Sequence, residues 1–430
     1  MESQTVKWKH YFLYLAFIYA ILYFLHTNLL LNNRPIRIKK WPHLPLRFRH
    51  DGTFKILQVA DMHFGSGLLS RCRDVLPSHF HYCSDLNTTR FLKTMIQLEK
   101  PDFVAFTGDN IFGPSTTDAA ESLLSAFGPV MESGIPWAAV LGNHDQESSM
   151  TREELMSFIS LMDYSLSQTN PPSKDINNVK RGMFLDIDGF GNYNLSVYGA
   201  PGSHLANSSV LNLFFLDSGD RETVQGVRTY GWIKESQLNW LRSASRELQG
   251  DLFFPWPKEE EEKGRKNIVQ NQEVKYVIKT QPVDASAALA FFHIPIPEVR
   301  QLYYQKFVGR FGEGVACSSV NSGVLKTLVS IKDVKAVFIG HDHTNDFCGN
   351  LEGIWFCYGG GFGYHGYGRI GLARRARVIL AELRKGDKEW MGVERIKTWK
   401  RLDDENLSKI DEQGWMIFLW VVWNMWMASN

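Results

Sequence analysis

Short apolar runs alternate along this chain with segments whose apolar residues recur at helical spacing. KILQVAD, PDFVAFTGD and PWAAVLGNHD read as strands, and TTRFLKTMIQLEK and AAESLLSAFGPVMES, lying between them, read as helices. Over Thr88 to Lys100, Phe91, Leu92, Met95, Ile96 and Leu98 fall on roughly one helical face, and Pro101 stops the segment. The second half repeats the theme less regularly. NLSVYGAP, NLFFLDSG, ALAFFHIP, KAVFIGHDH and GIWFCYGGG read as strands, and GWIKESQLNWLRSASREL reads as an amphipathic helix with Ile233, Leu238, Trp240 and Leu241 as core candidates. Strand and helix patterns in alternation predict a layered α/β core, and no internal repeat is visible.

Three stretches break the pattern. Residues 251–284 carry the run KEEEEKGRK and little apolar periodicity, which predicts a solvated loop insertion. The end, GWMIFLWVVWNMWMASN, sets four tryptophans in an apolar tail too short to span a bilayer, and no function is assigned to it. At the other end, Tyr11 to Leu31 has no acidic or basic residue except His26. A bilayer takes about 20 apolar residues, so this run reads as a signal peptide or an uncleaved signal anchor. No A-x-A-like cleavage site follows it. Arg34, Arg37, Lys39 and Lys40 outnumber Lys7 and Lys9 on the other flank, which by the positive-inside rule alone leaves the bulk of the chain cytosolic. The expected organisation is therefore a segment 1–40, a globular domain 41–395 and a tail 396–430.

Composition narrows the picture only a little. The chain has 430 residues, 44% hydrophobic and 22% charged, which is ordinary for a globular domain. A net charge of +1 argues against a dedicated nucleic-acid binder, which needs a basic face. Cys72 with Cys83, and Cys348 with Cys357, are close enough for local disulfides, although spacing alone does not prove pairing. Asn87, Asn194, Asn207 and Asn406 each open an N-x-[ST] sequon. These features favour the secretory pathway and a secreted protein, with membrane anchoring through residues 11–31 in type II orientation as the alternative.

The chemistry sits at the ends of the apolar runs. Ile56 to Ala60 ends in Asp61 and His63; Phe103 to Thr107 ends in Gly108-Asp109-Asn110. Trp137 to Leu141 ends in Gly142-Asn143-His144-Asp145, Leu289 to Phe292 ends in His293, and Val334 to Ile339 ends in Gly340-His341-Asp342-His343. Ligands of α/β sheets gather at the carboxyl ends of strands. Each end alone has a bland reading: Asp61 as a helix cap, Asp109-Asn110 as a turn, His293 as a hydrogen-bonded core histidine. Five together bury more carboxylate and imidazole than a fold tolerates without a compensating cation. Imidazole, carboxylate and an Asn amide without thiolate exclude a Cys-rich structural zinc site and suit Fe, Mn or Zn. A single carboxylate shared by two ions about 3.5–4 Å apart is the arrangement of two-metal hydrolases.

On these residues the chain resembles the calcineurin-like metallophosphoesterases over roughly Lys55 to Glu382. With VADMHFG, FTGDN, LGNHD, FFHIPIPE and YGGGFGYHGYGR it looks most like plant purple acid phosphatase-like proteins. The resemblance implies an α/β fold, a four-layer α/β/β/α sandwich of two mixed sheets. It implies that Asp61, His63 and His343 bind one metal, that Asn143, His293 and His341 bind a second, and that Asp109 bridges. His144 would face the substrate and assist the leaving oxygen, Asp145 would orient His144, and Asn110 would touch the phosphate. There is one departure. True purple acid phosphatases carry a tyrosine three residues after the bridging Asp, whose tyrosinate colours the iron, and their first motif ends in Gly. Here those positions are Phe112 and His63. A phenyl ring cannot ligate, but His63 can replace the lost donor, so the site should be complete and not purple.

The function expected from this resemblance is hydrolysis of phosphate monoesters by attack of metal-bound hydroxide, on a phosphorylated small molecule or phosphoprotein, without a covalent phosphoenzyme. A phosphodiesterase or nucleotide hydrolase on the same site, and a non-catalytic protein that keeps the fold, are the alternatives.

Overall fold

The computed structural model describes residues 2–25, 44–170, 187–249, 286–387 and 389–417. The chain divides into two compact units, Met1–Lys40 and Trp41–Asn430. In the first, Glu2–Leu25 is helical. No described helix is long and apolar enough to cross a membrane. The apolar run expected over residues 11–31 extends past the described helix. The insertion expected at 251–284 and the tryptophans at 420, 423 and 426 also lie outside the described residues.

The second unit is built on two mixed sheets. One has six strands, in spatial order Lys409–Met416, Trp390–Leu402, Arg375–Lys385, Thr53–Val59, Phe103–Thr107 and Trp137–Val140. Its last three strands are parallel and the rest antiparallel. The other sheet has eight strands, and its centre is the parallel set Ser209–Phe215, Ala287–Phe291, Val334–Ile339 and Ile354–Tyr358. Parallel strands need both faces covered, which is why these runs are almost wholly apolar. The sheets lie face to face. Phe103 of one packs on Phe215 of the other with ring centroids 6.2 Å apart, and Gln58 Nε2 donates to Ile339 O across the gap.

Helices close both outer faces. Phe106, one residue out of phase with its inward neighbours, meets Phe127 of the helix Ala119–Ser133 at 4.8 Å. On the other side Leu238 and Leu241 of Glu235–Leu248 and Leu325 and Leu328 of Val324–Ile331 pack with Phe214, Ala290 and Val337. The result is the four-layer α/β/β/α sandwich. The helix expected over Thr88 to Lys100 runs Asp85–Glu99, because a capping box at Ser84 starts it earlier: Leu86 N donates to Ser84 Oγ and Ser84 N to Asn87 Oδ1. Its expected core residue Leu98 is instead 41% exposed.

The boundary expected at residue 395 is corrected. It falls inside the strand Trp390–Leu402, and Lys409–Met416 adds a further strand, so the polar stretch is the edge of the sheet. One face of these outer strands is wet, and their alternating burial hides the strand pattern among charges. Disulfides join Cys72 to Cys83 and Cys348 to Cys357; Cys317 is free and buried.

Candidate metal centre

Five strands end at one place. Thr53–Val59, Phe103–Thr107 and Trp137–Val140 come from one sheet, Ala287–Phe291 and Val334–Ile339 from the other, and their loops are laced together. Asp61 N donates to Gly108 O at 3.1 Å and His63 N to Asp109 O at 2.8 Å. His144 N donates to Asp109 Oδ1 at 2.7 Å, and His341 N donates to Asp61 Oδ1 at 2.9 Å. The loops are bent sharply. Asp61, His63, Asp109 and His341 all have positive φ, at 59°, 47°, 49° and 81°. Each such residue costs of the order of 1–3 kcal/mol, and here four are grouped around one point, where surrounding packing holds them. Two glycines make room. A Cβ on Gly142 would come within 2.1 Å of Asp109 Oδ1, and one on Gly108, at φ 90°, within 2.5 Å of His293 Nδ1.

All seven expected ligands are buried and come together. Asp61, His63, Asp109 and His343 offer donor atoms within 4.8 Å of one another, and so do Asp109, His293 and His341. Asn143 joins the second group, its Oδ1 3.3 Å from His293 Nε2. Asp109 belongs to both groups: its Oδ2 is 3.3 Å from His63 Nε2 and 3.2 Å from His293 Nε2. Two donors each about 2.1 Å from one cation stand about 3 Å apart, so these separations fit shared coordination. Carbonyls behind the rings aim them. Thr107 O meets His293 Nδ1 at 2.8 Å and Tyr367 O meets His343 Nδ1 at 2.7 Å, which leaves Nε2 of both rings facing inward.

The electrostatics match this geometry. Burial pushes His63 down to about 4 and His341 down to about 3, so both are neutral imidazoles with free lone pairs. Nε2 of each is buried without a hydrogen-bond partner. Burial alone would raise Asp61 and Asp109, yet imidazoles hold both below their ordinary value, His343 beside Asp61 and His293 beside Asp109. His293 is raised to about 9: burial would lower it, but the carboxylates of Asp109 and Asp61 prevail. A cluster with two anions and orphaned imidazole nitrogens fits cations well, and a cation bound there would displace the proton from His293.

Two expected roles are corrected by contacts. Asp145, expected to orient His144, accepts from Gly142 N and Ile111 N and from Asn110 Nδ2; it braces the loop. The carboxylate at His144 Nδ1 belongs to Glu147, 2.5 Å away. Asn110, expected to touch the substrate, donates its amide to Val140 O and Asp145, and these internal acceptors fix it. Phe112 lies where the resemblance places it, its ring 5.5 Å from His63 and 5.0 Å from His144.

Three site residues escaped the sequence reading: Glu147, Arg221 and Tyr230. Tyr367 stacks on His343 at 3.8 Å, and Tyr230 meets His341 edge-on at 4.5 Å. Arg221 and Tyr230 pair in a small hairpin, Arg221–Val224 with Val227–Tyr230, turning at Gln225-Gly226. The two-residue turn ending in Gly was its signal.

Comparison with known proteins gives consistent neighbours. A family model described as calcineurin-like phosphoesterase matches residues 54–345. The chain is 62% identical to "Probable inactive purple acid phosphatase 28" of Arabidopsis thaliana, covering 96% of this chain and 97% of that one. It is 34% identical to "Phosphatase DCR2" of Saccharomyces cerevisiae, covering 85% of this chain and 56% of that one. A solved dimetal phosphatase from Danio rerio aligns with a TM-score of 0.48 at 14% identity, over 85% of this chain and 99% of that one.

Proposed function

Because the chain belongs to the calcineurin-like phosphoesterase family, we propose that it hydrolyses phosphate monoesters with two metal ions. The observation that carries this reading is Asp109, whose carboxylate belongs to both donor groups at once. Asp61, His63 and His343 would hold one ion, Asn143, His293 and His341 the other. Fe, Mn or Zn would suit this thiolate-free set. Bound there, such ions polarise a phosphoryl oxygen and make water nucleophilic near neutral pH.

The chain's own residues supply the rest. His144 stands at the edge of the centre, its side chain 25% exposed, and can hand a proton to the departing alcohol oxygen. Glu147 fixes which ring nitrogen of His144 faces inward. Asp145 and Asn110 hold the loop that carries His144. Phe112, Tyr230 and Tyr367 wall the donors off from water. The word "inactive" in the names of relatives is said of those proteins; in this chain no donor position is empty.

We also place the protein in the secretory pathway, as a secreted or membrane-anchored phosphatase acting on a phosphorylated small molecule or phosphoprotein. Two disulfides support an oxidising compartment, and the sequon residues Asn207 and Asn406 are exposed.

The test is hydrolysis of p-nitrophenyl phosphate and of bis(p-nitrophenyl) phosphate by the purified, metal-loaded chain. Turnover of the monoester that chelation removes and added metal restores is the expected result. Faster cleavage of the diester would replace this reading with a phosphodiesterase, and no turnover of either with metal bound would make the chain a non-catalytic binder.

A further inference from the structure

Arg73 stands beside the centre with its charge unmatched. Its guanidinium lies over the ring of Phe112, with Cζ 4.8 Å from the centroid, and the same ring lies 5.0 Å from that of His144. The backbone at this point is pinned from both sides. Arg73 N donates to Tyr364 O at 2.9 Å, Arg374 Nη2 donates to Arg73 O at 2.8 Å, and the preceding residue is tied by the Cys72–Cys83 disulfide. Yet the side chain is exposed, and among the described residues no carboxylate or carbonyl accepts from it. The adjacent acid is occupied elsewhere: Asp74 Oδ2 accepts from Gly368 N.

Its neighbours differ. Arg221 is paired with Glu147, Arg152 with Asp217, and Arg374 donates to the carbonyls of Tyr367, Gly366 and Arg73. An exposed guanidinium over a half-buried phenyl ring gains about 0.5–1 kcal/mol, which leaves its planar fork of donors free for an oxyanion. Position decides which part of the substrate carries it. The phosphoryl group belongs among the metal donors, and His144 marks the side on which the alcohol departs. The contacts of Phe112 with His144 and with Arg73 offer an alcohol that passes His144 a path toward Arg73.

Resting on the phosphatase reading above, we propose that Arg73 is a specificity determinant that receives a second anionic group, carboxylate or phosphate, carried by the leaving alcohol. The substrate class is then a phosphomonoester with a further negative charge on its alcohol portion.

The experiment compares kcat/KM of the metal-loaded full chain in two pairs. One is phenyl phosphate against 3-carboxyphenyl phosphate; the other is glucose 6-phosphate against glucose 1,6-bisphosphate. The charged member should be preferred by about 10-fold or more in at least one pair, and the pair that shows it identifies carboxylate or phosphate as the group received. Arg73→Ala should reduce that ratio about 10-fold, Arg73→Lys should fall between, and Arg73→Glu should bring it below one. Arg71→Ala, on the same loop but bonded to His81 O, should keep the wild-type ratio. A wild-type ratio near one in both pairs, or a ratio that Arg73→Ala and Arg73→Glu leave unchanged, overturns the proposal. Failure of the wild-type chain to hydrolyse any of the four compounds overturns the phosphatase reading itself.

Discussion

His144 Nδ1 lies 2.5 Å from Glu147 Oε2, and Arg221 Nη1 holds the other oxygen of that carboxylate at 2.6 Å. The neighbour in sequence, Asp145, is turned the other way. The reason is local: residues Asp145–Glu147 form a single 3-10 turn, in which side chains three apart eclipse one another. Glu147 therefore selects the tautomer of His144, while Arg221 keeps the carboxylate in place.

Removing that carboxylate should slow the reaction without emptying the site. Glu147→Gln should lower kcat about 10-fold and Glu147→Ala about 100-fold, with KM and metal content near wild type. Steady-state kinetics beside metal analysis checks this. A fall in metal content that matches the fall in rate would show that Glu147 serves the loop and not His144.

Much of the centre was legible because its ligands end apolar runs. Asp61, Asp109, Asn143, His293 and His341 each follow a buried strand, and strand ends in one sandwich have few places to go. The partners of those ligands were harder to read. Glu147 acts through a turn whose geometry is not written in the letters, and Tyr367 reaches His343 from a Gly-rich loop with no period. The outer strands Trp390–Leu402 and Lys409–Met416 were hidden for a different reason: one wet face dilutes the apolar alternation with charge.

Those outer strands support the centre. Lys400 Nζ meets Asp346 Oδ1 at 2.5 Å in the buried interior, and Arg375 Nη1 pairs with the other oxygen. Asp346 stands three residues after His343, and Arg377 Nη2 donates to its carbonyl at 2.7 Å. Asp346→Ala would strand two buried cations. A loss of about 3 kcal/mol in stability is expected, from denaturant unfolding, together with weaker metal retention. A change below about 1 kcal/mol would mean that Lys400 and Arg375 find other partners, Asp411 being the nearest for Lys400.

Asp85 gives a pH dependence away from the metals. Burial pushes its carboxyl up to about 7; Gly65 N donates to Oδ2 at 2.8 Å, and Oδ1 is buried without a partner. The folded value is raised above the unfolded value of about 4, so the fold binds the extra proton. Its contribution is complete below about pH 4 and is lost as pH climbs through 7. Asp85→Asn keeps the acceptor for Gly65 and removes the charge. Thermal unfolding should show the variant gaining on wild type between pH 4 and pH 8, by about 4 kcal/mol at the upper end. A pH-independent difference would mean that Asp85 is ionised in the fold throughout.

The central claim is that Asp109 is shared between two ions, and metal stoichiometry tests it most directly. Elemental analysis of the purified chain should find two metal ions per wild-type molecule. Asp109→Ala should hold neither tightly and should lose turnover of p-nitrophenyl phosphate, whereas His144→Ala should keep both and lose most turnover. One ion per wild-type chain, or an Asp109→Ala protein that retains two and still turns over, would contradict the account.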